Sequence, residues 1–201
     1  MLFMSKIRQK KRNDFLTDGA GPCELCQEEK VAQEPIWHTE NPETFMVFDP
    51  QAFQEDYQFF QNVQEIKRWK FWEDVVAFTF PLCDFLHPPR VANLRSCYPI
   101  FMDILNKRKP KLVVVVGKDA AKSLLGRGVS PPDIRTLAGQ FILPDDFAVD
   151  GYLTPFMVIR SPSFVLEFGD DAAAAELFVD HLTKTEELWK TLPLKIRLKQ
   201  R

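Results

Sequence analysis

The chain has 201 residues, 45% of them hydrophobic and 27% charged, which suits a folded protein with a full core and excludes a disordered or fibrous chain. Its formal net charge of −2 excludes a uniformly basic nucleic-acid coat, so contacts with phosphates have to come from local patches. The longest apolar run, Leu112 to Val116, is far short of the ~20 residues a membrane helix needs, and no membrane partner is expected.

The chain opens with MLFMSKIRQKKRNDF, whose apolar start is too short for a secretory signal. The expectation is an intracellular protein, cytoplasmic or nucleoid-associated, in a compartment where thiols stay reduced. Residues 1–20 read as a basic arm: Lys6, Arg8, Lys10, Lys11 and Arg12 cluster ahead of a Gly-Ala-Gly-Pro stretch. Such an arm is either a solvated tail or a contact for nucleic acid or a protein partner. Pro22-Cys23-Glu24-Leu25-Cys26 then makes a tight knuckle. The run TFMVF, residues 44–48, reads as a buried strand ending at Asp49-Pro50. Over residues 51–72, Phe53, Tyr57, Phe60, Val63, Ile66 and Trp69 recur at helical spacing and predict one or two helices. VVAFTF, residues 75–80, is a second strand stopped by Pro81.

Residues 90–106 predict a helix with Val91, Leu94, Tyr98, Phe101, Ile104 and Leu105 on its apolar face. KLVVVVG, residues 111–117, is an unbroken β-branched run bounded by charge and glycine, which suits a central parallel strand buried on both faces. A helix over 118–125 follows, then the strand FMVI at 156–159, ending in Arg160-Ser161-Pro162-Ser163. A long helix over 170–190 opens on Asp170-Asp171, which suit a positive helix N-terminus. Residues 191–201 form a basic C-terminal tail with Lys195, Arg197, Lys199 and Arg201. Strands alternating with helices define an α/β chain: a mostly parallel four-stranded sheet with helices on both faces. The main domain spans 21–190. Sites on such sheets lie outside the carboxyl ends of the strands, here Asp49-Pro50, Thr79 to Cys83, Gly117-Lys118 and Arg160 to Ser163.

Cys23 and Cys26 are spaced so that two thiolates can reach one metal from a single turn. Cys83 and Cys97 would complete a four-thiolate set that uses every cysteine of the chain. The other reading makes the later pair buried apolar residues. Spacing does not separate zinc from an iron–sulfur cluster, since both accept four thiolates.

The segment Cys83-Asp84-Phe85-Leu86-His87-Pro88-Pro89-Arg90, then Arg95-Ser96-Cys97, then Lys109 to Gly117 with Ala120-Ala121, resembles the iron–sulfur branch of the uracil-DNA glycosylase superfamily, the family 4 and 5 type. The likeness runs over about residues 20–168 and is carried by order and spacing. It implies a glycosylase-like three-layer fold and a 4Fe–4S cluster on Cys23, Cys26, Cys83 and Cys97, with zinc as the alternative. It also implies a site that this chain has altered. The family's glycine-rich water-holding loop corresponds to Asp49-Pro50-Gln51-Ala52-Phe53-Gln54-Glu55-Asp56, where both glycines are missing. The family's base-reading Asn corresponds to Thr79, whose hydroxyl cannot supply the paired donor and acceptor of an amide. The family's His-Pro-Ser corresponds to Ser161-Pro162-Ser163, so the imidazole that stabilises the departing base is gone. Arg160 supplies charge there without the geometry.

Three function classes follow. The first is a catalytically degenerate accessory of replication or repair that binds DNA, a DNA polymerase or another replication protein, or both. Its contacts would be directed to phosphates, from Arg90, Arg95, Lys118, Arg127, Arg160, Ser161 and Ser163. The second is an active glycosylase with a changed site, using Asp49, Glu55 or Asp56 to position water and Arg160 to stabilise the leaving base. The third is a metal-stapled interaction module, with Tyr57-Gln58-Phe59-Phe60 and Trp69-Lys70-Phe71-Trp72 as partner surface, base-stacking platform or core. His38, His87 and His181 are scattered, and only His87, beside the cysteines, suggests a supporting role in a metal centre.

Overall fold

The computed structural model describes residues 30–32, 35–80, 83–85, 91–125, 138–143, 148–149, 152–163, 171–193 and 196–197. In chain order the elements are β1 (Lys30–Ala32), β2 (Ile36–Trp37), β3 (Thr44–Phe48), α1 (Phe53–Lys67), a 3-10 turn (Lys70–Trp72), β4 (Val75–Thr79) and β5 (Cys83–Phe85). Then come α2 (Val91–Arg108), β6 (Leu112–Val116), α3 (Lys118–Leu125), β7 (Phe141–Ile142), β8 (Ala148–Val149), β9 (Tyr152–Leu153), β10 (Phe156–Ile159), α4 (Asp171–Thr191) and β11 (Ile196–Arg197).

The main sheet has six strands in the order β2-β4-β3-β6-β10-β7. The four strands expected from the sequence are its four central ones, all parallel, with Thr44 level with both Val75 and Leu112, and Phe156 level with Val113. The expected four-stranded sheet is therefore widened by two antiparallel edges, β2 on β4 and β7 on β10. Each edge strand has two residues, too few to leave a period in the sequence.

Every residue of β3, β4, β6 and β10 is buried, so alternate side chains feed two separate cores. On one face Phe45, Val47, Val113 and Val115 pack with Phe101 and Ile104 of α2 and Leu124 of α3. On the other face Met46, Phe48, Val114 and Val116 pack with Phe53, Tyr57 and Phe60 of α1 and with Phe178 and Leu182 of α4.

The aromatic segment that sequence offered as a partner surface or stacking platform belongs to this second core. Trp72 stacks on Phe60 with centroids 5.6 Å apart and on Tyr57 at 5.7 Å, and Trp69 and Phe71 are buried beside them. Apolar rings at helical spacing bury large areas, and that gain is greatest in the core. The 3-10 turn is pinned to α4 by the Phe71 amide, which donates to Glu186 Oε2 at 3.1 Å. Arg68 ends α1 in the left-handed region, at φ 52°, and its N–H donates to the Gln64 carbonyl. The Gln64 side chain then closes on Trp69, accepting from its amide at 2.8 Å and donating to its carbonyl at 3.0 Å.

Two small sheets flank the main one. β5 pairs antiparallel with β1, setting Cys83 opposite Ala32 and Phe85 opposite Lys30. β9 pairs with β8 and with β11, so Ile196 and Arg197 of the basic C-terminal segment lie in a ladder against Leu153 and Tyr152.

Phe60 is wholly buried between the sheet and α4. Phe60→Ala is expected to destabilise the protein by about 3–5 kcal/mol, read in urea as a lower midpoint with an unchanged slope.

Candidate functional site

The central strands have the chain order second, first, third, fourth, so the direction of winding reverses between β3 and β6. Open α/β sheets bind ligands outside the carboxyl ends of the strands at such a reversal. The loops there begin with Asp49 after β3, Gly117 after β6 and Arg160 after β10.

Gly117 and Ser161 bring the last two of these loops into contact. Gly117 has φ +90°, and a Cβ on it would lie 3.2 Å from the Ser161 Cβ. Its N–H donates to the Ile159 carbonyl at 3.0 Å. Only glycine fits both the backbone angle and the close approach.

Asp56 ties α1 to the loop after β10. It lies three residues after Phe53 and four before Phe60, on the apolar face of α1, and is 0% exposed. Its Oδ1 accepts from the Ser163 amide at 2.9 Å and from the Ser163 hydroxyl at 2.5 Å, across 107 residues of sequence. Oδ2 is buried and has no hydrogen-bond partner among the described residues. Burial holds the Asp56 pKa above its ordinary value, against the Ser163 hydroxyl, the Ser161 hydroxyl and the Ser163 amide, which pull it down. Glu55 adds to the rise by charge repulsion.

Asp49 serves the turn that enters α1. Its Oδ1 accepts from the Gln51 amide at 2.8 Å. Burial raises its pKa, the Gln51 amide opposes that, and the charges of Asp119 and Asp56 push it up further. The carboxyl edge between β3 and β6 is therefore acidic. Glu55, read together with Asp56 in the sequence, points to solvent instead.

The other candidates separate. Thr79 ends β4; it is buried, and its hydroxyl has no hydrogen-bond partner among the described residues. Lys118 is exposed at the start of α3, and Arg160 is half-buried after β10. Arg95 lies on α2, but its side chain, like Arg90 and Arg127, falls outside what is described. His181, which the sequence left scattered and without a catalytic role, is buried. Burial lowers its pKa, and the charges of Lys184 and Arg160 lower it further against Asp180. Its ring packs on Gly139, where an added Cβ would lie 2.6 Å from Nε2. The buried face of α4 was legible in its spacing: Phe178, His181, Leu182, Thr185 and Glu186 recur at helical intervals, and all five are buried. His38 shares a hydrogen bond of 2.7 Å between its Nε2 and Tyr57 Oη, and His87 lies outside the described residues.

Of the four cysteines, Cys97 is buried on α2 and Cys83 opens β5; Cys23 and Cys26 lie outside the described residues, as does the basic arm. No group of three or more metal-ligating side chains occurs among the described residues, where Cys97 is the one cysteine whose side chain is described. The β1–β5 ladder starts four residues after Cys26 and holds that part of the chain against the strand that Cys83 opens.

No protein-family model matches the chain, and no curated protein matches it.

An acid whose pKa is raised on folding binds more protons in the folded state, between its ordinary value of 3.8 and its raised one, than in the unfolded state. Its contribution to stability therefore falls as pH rises through that window. Relative to Asp56→Asn, the wild-type protein is expected to gain stability as pH is lowered from 7 towards 4. Urea midpoints across that range check this, and a constant difference between the two proteins would contradict it.

Proposed function

We propose that this protein is a catalytically degenerate, glycosylase-like iron–sulfur protein that binds DNA as an accessory of replication or repair. The observation that carries the proposal is the Asp56–Ser163 contact. It joins the two segments that resemble the first and last motifs of the glycosylase superfamily, though they are far apart in sequence. The strand order, with its reversal beside Asp49 and Gly117, supports the same reading. What a base excision site needs is thinned out. Thr79 stands where an amide would read the base, and Ser161 where an imidazole would stabilise the departing anion.

In this reading Lys118 and Arg160, with the serine loop after β10, contact phosphates without regard to sequence. Arg90, Arg95, Arg127 and the basic arm would extend that surface, and a DNA polymerase or other replication protein is the partner of such an accessory. Cys23, Cys26, Cys83 and Cys97 would hold a 4Fe–4S cluster, which when bound supplies a cross-link between the N-terminal knuckle and the region around β5 and α2. An intracellular, reducing compartment suits those thiolates.

A second reading is favoured by one observation. Asp56 is a buried carboxyl with a raised pKa and an oxygen that has no hydrogen-bond partner among the described residues, the kind of group that takes a proton from an attacking water. That reading is an active glycosylase with a changed site.

The two are separated by incubating the protein with uracil-containing single- and double-stranded DNA, then with alkali. Salt-sensitive binding with no strand breaks is the expected result; breaks that depend on the protein would replace the first reading with the second. Anaerobically purified protein is expected to carry iron and acid-labile sulfide in equal amounts and to lose both in Cys97→Ser. Stoichiometric zinc in place of iron would overturn the cluster assignment.

A further inference from the structure

The Asp56–Ser163 contact bears on how DNA could be held. Resting on the DNA-binding reading above, we infer that the Asp56 carboxylate is an internal occupant of the phosphate seat in the loop after β10, and that this loop grips DNA only after leaving Asp56. Both hydrogen-bond donors of Ser163, its amide and its hydroxyl, are spent on one oxygen of Asp56. A phosphate oxygen asks for the same kind of donors: backbone amides and short hydroxyls. Asp56 presents what a phosphate would present, a negatively charged oxygen, and presents it from inside the protein.

The arrangement is closed to a phosphate in two ways. The donors are taken, and a second anion would have to sit against a carboxylate that is 0% exposed and poorly screened by water. Asp49 adds further negative potential, because it feels both Asp56 and Asp119. Asp56 itself is not the part that moves. Its neighbours Phe53, Tyr57 and Phe60 are locked in the core of the α1 face. The loop that carries Ser161 and Ser163 is the part that has to lift away.

The test is DNA binding by fluorescence anisotropy with labelled single-stranded and duplex oligonucleotides at neutral pH and low salt. The full chain is compared as wild type, Asp56→Asn, Ser163→Ala and the double variant, each checked for folding by circular dichroism and thermal melting. Asp56→Asn keeps the shape and removes the charge, so it is expected to bind roughly fivefold tighter or more, the scale of one charge at contact distance in water. The gain is expected to be clearly smaller in the double variant, because the Ser163 hydroxyl is one of the two donors that Asp56 occupies. Asp119→Asn removes an equal charge from the same edge without touching the serines, and its gain is expected to be clearly smaller. Folded Asp56→Asn that binds no tighter than wild type would overturn the inference, and so would equal gains from Asp56→Asn and Asp119→Asn. If wild type binds in a salt-sensitive way while Asp56→Asn gains nothing, only the inference fails. If no form binds DNA, the DNA-binding reading fails with it.

Discussion

Burial on both faces of the four central strands is the constraint on which the rest of the structure depends. Leu112 to Val116 has no polar side chain and no exposed residue, so it can exist only with helices above and below it. The same demand places α2 and α3 on one side and α1 and α4 on the other. Once both faces are covered, ligands can reach the sheet only at the ends of its strands. The reversal of winding between β3 and β6 then singles out the carboxyl ends near Asp49 and Gly117.

At that edge a buried carboxylate does what packing alone cannot. Asp56 reaches from α1 to the loop after β10 and fixes Ser163, while Gly117 lets the neighbouring loop close on Ser161. Burying a charge is costly unless hydrogen bonds satisfy it, and here one oxygen is satisfied while the other has no hydrogen-bond partner among the described residues. An unsatisfied carboxylate at the mouth of a sheet is better explained by use, whether as a gate on the serine loop or as a group that handles a proton.

The four central strands and four helices were legible because their residues repeat a signal. KLVVVVG is a β-branched block, and Phe53, Tyr57 and Phe60 keep helical time. The edge strands were not legible. Ile36–Trp37 and Phe141–Ile142 are strands because β4 and β10 leave open edges beside them, and two residues cannot show a period. The Ala148–Val149 and Tyr152–Leu153 pair did leave a mark, since Asp150-Gly151 between them is a strong hairpin dipeptide. The site was legible in part. The strand-end loops could be named from the sequence, but not which of them touch. Glu55 and Asp56 looked like one acidic pair, yet helical spacing from Phe53 puts Asp56 inside and Glu55 outside. The partner of Asp56 lies 107 residues away, where no local rule reaches.

The claim that one carboxylate organises the carboxyl edge is tested most directly by a double-mutant cycle in urea on Asp56→Ala and Ser163→Ala. A hydrogen bond to a charged group contributes about 1.5–3 kcal/mol, so the effects of the two substitutions are expected to be non-additive by about that amount at neutral pH. Additivity to within about 0.5 kcal/mol would mean that the two residues do not act as a unit, and the account of the site would be contradicted.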